Sequence, residues 1–213
     1  MNQRGRFIVF EGGEACGKST QARRLAERLD ALFTFEPGAT DLGQLVREMV
    51  LDHDNHHLDA RAEALLIAAD KAQHVHSIIE PTLASGRDVV CDRFVDSALA
   101  YQGFGRGLDL EQLERVLDFA TGALRPDLVL LLEVPDRVAE ARLGGQRDRL
   151  EAESPSFHRR VRDGFRTLAG ADPERWAVID GDGSVEEVSA RIDWVLHERL
   201  AARAAPGAGR TDP

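Results

Sequence analysis

Eight residues near the amino end, Gly12-Gly13-Glu14-Ala15-Cys16-Gly17-Lys18-Ser19, match the pattern G-x-x-x-x-G-K-[ST] at every fixed position. A loop of this kind closes consecutive backbone N–H groups around a polyphosphate, and side chains at Gly12 or Gly17 would obstruct that approach. Lys18 is then placed to reach β- and γ-phosphates and Ser19 to ligate Mg²⁺, with Gly13, Glu14, Ala15, Cys16 and Thr20 completing the predicted cradle for ATP. A second chemical element is Val89-Val90-Cys91-Asp92-Arg93, an apolar run ending in an acid and a guanidinium. Asp92 is a candidate for the metal shell and Arg93 for a fork onto an acceptor phosphate. A structural ion pair at a strand end would use the same two residues; the glycine loop favours the reading in which both face phosphates.

The elements that must position these groups are legible as alternating strands and helices. Phe7-Ile8-Val9-Phe10 reads as a strand buried on both faces, and Ala22, Leu25, Ala26 and Leu29 repeat at helical spacing after the loop. Further strands are expected at 32–35, 88–92, 128–134 and 176–180, with helical stretches at 60–84, 110–121 and 185–203. This alternation predicts an α/β fold, a P-loop three-layer arrangement in which a five-stranded parallel sheet carries helices on both faces. Ligands belong at the carboxyl ends of the strands. One domain over residues 1–203 is expected, followed by a disordered tail at 204–213, which has almost no bulky apolar side chain.

Composition excludes several classes. Among 213 residues, 43% are hydrophobic and 30% charged, and no apolar run is long enough to span a membrane. A net charge of −10 argues against nucleic acid as a partner. The amino terminus has no secretory pattern, and Cys16 and Cys91 read as separate reduced thiols, so a cytoplasmic address is expected. A guanine-reading Asn-Lys-x-Asp element is excluded because Asn2 and Asn55 are the only asparagines and neither precedes Lys. His53, His56 and His57, beside Asp52 and Asp54, lack a fixed zinc spacing and read as a polar loop.

Three boxes in order carry a family resemblance from about Arg6 to Leu200. They are Phe10-Glu11-Gly12-Gly13-Glu14 through Gln21, then Phe35-Glu36-Pro37-Gly38-Ala39-Thr40, then Asp92-Arg93-Phe94 through Ser97, Ala100-Tyr101-Gln102-Gly103 and Arg106-Gly107. Together they resemble the thymidylate kinases, which implies a nucleoside monophosphate kinase-like fold, ATP and dTMP as substrates, Mg²⁺, and a homodimer with apolar helix surface around 60–84 as candidate interface. By this resemblance Glu14 contacts the acceptor sugar, Arg93 its phosphate, Tyr101 the deoxyribose and Gln102 the base. Ile179-Asp180-Gly181 borders adenine by the same likeness. Downstream, Asp148-Arg149-Leu150-Glu151 resembles the mobile lid. A basic segment over about 142–162, interrupted by Gly144-Gly145, is itself a plausible lid supplying cations to the transferring phosphoryl. Because the glycine loop contains no Arg, the lid-arginine bacterial type is implied, with Arg149 and Arg147 or Arg142 joining Lys18 and Arg93 as catalytic cations.

Departures from the family pattern fall on the acceptor side. Phe35 stands where an Arg is usual, Ile67 where a Phe often stacks on thymine, Lys71 where an Arg binds the base, and Ala98, next to Ser97, where a side chain would bond the base. Alternatives therefore stand beside dTMP: another deoxynucleoside monophosphate such as dUMP or dGMP, or an ATP-binding regulatory protein that transfers no phosphate.

Overall fold

The computed structural model describes residues 4–144 and 147–204. Its strands are β1 (Phe7–Glu11), β2 (Leu32–Phe35), β3 (Val89–Asp92), β4 (Leu128–Glu133) and β5 (Trp176–Asp180), paired in parallel in the order β2-β3-β1-β4-β5. The central strand is thus the one that feeds the glycine loop. The register sets Phe10 and Phe35 beside Asp92, and Glu11 beside Leu131, so the carboxyl ends of these strands share one level. This is the predicted five-stranded sheet, and its strands agree with the sequence expectation to within a residue.

The helices are α1 (Lys18–Leu29), α2 (Asp41–Leu51), α3 (Ala60–His74), α4 (Glu80–Ala84), α5 (Val95–Ala98), α6 (Leu110–Thr121), α7 (Asp136–Arg142), α8 (Pro155–Ala171) and α9 (Val185–Ala204). Alternate strand residues face opposite layers. Ile8, Phe10, Leu128 and Leu130 pack under Ala22 and Leu25 of α1 and Ile192 of α9. Phe7, Val9, Val89 and Cys91 pack against Val46 of α2, Ile67 of α3 and Leu117 of α6. A third cluster joins Leu131 and Trp176 to Phe157, Val161 and Phe165 of α8.

Two wide π-helical turns, Val75–Ile79 and Leu99–Gly105, interrupt the helices, and the second carries Tyr101 and Gln102. Helices α2 and α8 start at side-chain caps: Thr40 accepts from the Gly43 N–H, and Ser154, followed by Pro155, accepts from the Phe157 N–H. Helix α8 begins inside the segment expected to form the lid, and Phe157 and Val161 are buried. Gly145 of the expected lid, and residues 205–213 of the expected tail, lie outside the described residues. The histidine-rich segment forms a short 3-10 turn, His53–Asn55, and no cluster of metal-ligating side chains occurs among the described residues.

Candidate active site

The glycine loop joins the end of β1 to α1, so its amides face the helix's positive end. Gly12 adopts φ 142°, and a Cβ there would strike the Leu132 carbonyl oxygen at 2.4 Å. The structure thus refines the reason for this glycine: the protein's own β4, rather than the ligand, forbids a side chain. Gly17 adopts φ 97° with open space around it, so it serves backbone conformation. Lys18 is buried, and its Nζ donates to the Gly13 carbonyl at 2.6 Å. Cys16 and Cys91 are free and buried.

Ser19 Oγ donates to Asp92 Oδ2 at 2.5 Å, and Asp92 Oδ1 is buried with no partner among the described residues. A hydroxyl and a carboxylate with one unsatisfied oxygen suit a hard, oxygen-seeking cation, so the residues fit Mg²⁺. Arg93, next in sequence, adopts φ 71°, which turns its side chain across the loop. Its guanidinium donates to the Gly12 carbonyl at 3.1 Å, Ser97 Oγ at 3.1 Å, Glu14 Oε1 at 2.6 Å and Tyr101 Oη at 3.3 Å. Tyr101 also donates to Glu14 at 2.5 Å. Burial opposes ionisation of Glu14, but Arg93 and then Lys18 outweigh it and hold the carboxyl down at about 2.

Glu11 is fully buried and absent from the predicted site. Its Oε1 accepts from the Phe94 and Ser97 N–H groups at 2.9 and 3.1 Å, and its Oε2 from Ser97 Oγ at 2.5 Å. It thereby holds the Arg93 turn and fixes Ser97. Burial, and secondarily the Asp96 charge, push its carboxyl up to about 7. The signal in the sequence is an acid ending an otherwise apolar strand.

A cleft of about 770 Å³ runs from Lys18, Ser19 and Asp92 past Arg93 to Ile67, Lys71, Ala98, Tyr101 and Gln102, a size typical of small-molecule sites. Its far wall rests on buried charge. Lys71 donates to Glu36 and, at 2.8 Å, to the Phe94 carbonyl; His74 Nδ1 lies 2.8 Å from Glu36 and its Nε2 2.6 Å from Thr34 Oγ1. Burial alone would lower the Lys71 pKa, but the Glu36 carboxylate more than offsets it and raises it. Asp70 lines the same cleft with Oδ2 unpartnered among the described residues, and burial followed by the Glu36 charge pushes its carboxyl up to about 6. Arg47 of α2, which donates to the Pro37 carbonyl at 3.0 Å, also lines it. Glu36, Asp70 and Arg47 are site residues that the phosphate motifs do not mark.

The three expected lid arginines separate. Arg142 lines the cleft and donates to the Gly181 carbonyl at 3.2 Å and the Gly183 carbonyl at 3.4 Å, beside the expected adenine border. Arg147 is exposed and lines a smaller space of about 220 Å³ beside Gly13, Glu14 and His158. Arg149 is buried outside both, with its guanidinium on the Val50 carbonyl at 2.7 Å and Glu63 at 2.5 Å.

A glycine loop at the centre of a parallel 2-3-1-4-5 sheet, with an Asp-Arg pair on the neighbouring strand facing one shared cleft, defines a P-loop kinase of the nucleoside monophosphate type. Comparison with known proteins narrows the class. The thymidylate kinase family model matches residues 10–192. A thymidylate kinase of Synechococcus sp. is 51% identical over 91% of this chain and 95% of its own, and one of Nitrobacter winogradskyi is 47% identical over 98% and 96%. The crystal structure of thymidylate kinase from Ehrlichia chaffeensis superposes with a TM-score of 0.76 at 32% identity, covering 91% of this chain and 99% of that one. The chain belongs to the thymidylate kinase family.

Proposed function

We propose that this cleft transfers the γ-phosphoryl of ATP to dTMP, giving dTDP. One observation carries the reading most directly: a single cleft runs from the glycine loop to a pocket walled by Ile67, Lys71, Ala98, Tyr101 and Gln102, with Arg93 between the two ends. The loop amides and Lys18 hold the donor's phosphates, and Ser19 with Asp92 hold Mg²⁺, which neutralises charge on the transferring group. Arg93 and Glu14 place the acceptor's phosphate and sugar, and Tyr101 closes beneath the sugar. The acceptor phosphate is already ionised, so positioning and charge neutralisation do most of the work without a strong general base. Arg142 covers the donor's base end, and Arg147, an exposed lid cation, lines the space beside Gly13 and Glu14.

We further propose that two copies pair through α2, α3 and α6. Leu42, Leu45 and Met49 are exposed on α2, Leu65 on α3 and Phe119 on α6, helices that pack side by side. No helix among the described residues is long and apolar enough to cross a membrane, and two free buried thiols suit the cytoplasm. The test is a coupled ADP-release assay with dTMP, dUMP and dGMP side by side. Selective turnover of dTMP is expected. Turnover of dUMP or dGMP in preference would move the acceptor, and ATP binding without turnover of any monophosphate would leave a regulatory protein.

A further inference from the structure

Glu63, on α3, is fully buried and belongs to none of the phosphate-binding motifs. Its Oε1 accepts from Gln102 Nε2 at 2.8 Å and Arg106 Nε at 3.2 Å; its Oε2 accepts from the Arg106 guanidinium at 3.1 Å and the Arg149 guanidinium at 2.5 Å. Segments distant in sequence therefore meet at one carboxylate: the wide turn that carries Gln102, its exit at Arg106, and the lid. Burial opposes ionisation of Glu63, but hydrogen bonds from Arg106, Gln102 and Arg149 prevail and hold its carboxyl below the usual range.

An ionised carboxylate only accepts hydrogen bonds. The Gln102 amide must therefore turn its NH₂ toward Glu63. That leaves Oε1, which accepts from no donor among the described residues, as the end of the amide that an occupant of the cleft meets. A fixed carbonyl oxygen welcomes a ring N–H, such as the N3–H of thymine or uracil, and repels a ring nitrogen lone pair, such as cytosine N3. On its other side, Glu63 holds Arg149, whose N–H and Nε also bond the Leu51 and Val50 carbonyls at 3.0 and 2.7 Å. The next residue, Leu150, lines the cleft together with Leu51.

We propose that Glu63 is a positioning residue with two linked tasks: it polarises Gln102 so that the acceptor base must offer an N–H donor, and it seats the lid through Arg149. Acceptor selection and lid seating then share one carboxylate. The proposal rests on dTMP being the acceptor.

The test compares kcat/KM for dTMP and dCMP in the unaltered protein, Glu63→Gln and Arg149→Met, with hydrogen exchange over 147–153 measured alongside. Glu63→Gln keeps the volume but lets either end of Gln102 face the cleft. Its dTMP/dCMP preference should narrow about ten-fold or more, mainly through KM, while the lid amides exchange faster. Arg149→Met should speed exchange and lower kcat while keeping the preference, because Gln102 and Arg106 still meet Glu63. An unchanged preference and unchanged exchange in Glu63→Gln would overturn the proposal. If Glu63→Gln fails to fold, Gln102→Met decides the first task by loss or retention of the preference, and Arg149→Met the second by exchange. No turnover of dTMP by the unaltered protein would instead defeat the acceptor assignment, leaving lid exchange in Glu63→Gln to judge Glu63 without turnover.

Discussion

Lys18 and Lys71 are both buried at the walls of the same cleft, yet they are compensated in opposite ways. Lys18 meets a backbone carbonyl and has no carboxylate within ion-pair distance among the described residues. Lys71 is held by Glu36, with His74 on the carboxylate's other oxygen. A buried cation without a counter-ion leaves its charge for an anionic ligand, whereas one neutralised by a carboxylate has only a hydrogen bond to give. On the proposed function, the difference orients the reaction: triphosphate at the glycine loop, a neutral base at Lys71, and Arg93 between them.

The sharpest way to break that contrast is at Lys18. Lys18→Ala should lower kcat/KM by about 10³-fold with little loss of stability, measured by ADP release and thermal melting. Arg93→Ala removes the cation between the two ends and the ion-pair partner of Glu14, so KM for dTMP should rise about 10²-fold with a smaller change in KM for ATP. Lys71→Met should act on the fold instead. With Glu36 left charged and buried, urea unfolding should show a loss of about 3–5 kcal/mol, a pattern opposite to that of Lys18→Ala.

Glu11 supplies a pH test of the Arg93 turn. Its folded value, near 7, lies above the ordinary 4.5, so its contribution to stability is fully present below 4.5 and is lost as pH rises through 7. Glu11→Gln keeps the shape and cannot ionise. Its stability relative to the unaltered protein should therefore rise between pH 5 and 8, by an amount on the order of 3 kcal/mol, read from urea unfolding at each pH. The smallest effect is expected from Ile67→Phe: restoring an aromatic face at the base should lower KM for dTMP roughly three-fold, whereas a raised KM would mean that the buried wall has no room for the ring.

What could be read from the sequence divides along the same line. The glycine loop, Asp92 and the five strands depend on local pattern, since a strand buried on both faces is a continuous apolar run and the loop's glycines answer to backbone sterics. The buried network was not legible, although Glu36 falls in one of the boxes, because Glu36, Glu63 and Asp70 acquire their meaning from partners tens of residues away. Helix α2 does carry a helical period, with Val46 and Val50 toward the core and Asp41, Gln44, Arg47 and Glu48 exposed, but Leu42, Leu45 and Met49 are exposed as well, so its apolar residues mark two faces at once. Helix α8 did carry signals, the Ser154-Pro155 start and Phe157, Val161 and Phe165 at four-residue spacing, which the surrounding arginines obscure. Those same arginines look alike in sequence, and only packing separates Arg149 on Glu63 from Arg142 in the cleft.

The most direct measurement is a rapid-quench single turnover with ATP labelled on the γ-phosphate, Mg²⁺ and dTMP, with products separated by ion exchange. Label appearing in dTDP at the rate of ATP loss is predicted. Label appearing as inorganic phosphate while dTMP stays unchanged would contradict the account, because the cleft would then hold a donor and no acceptor.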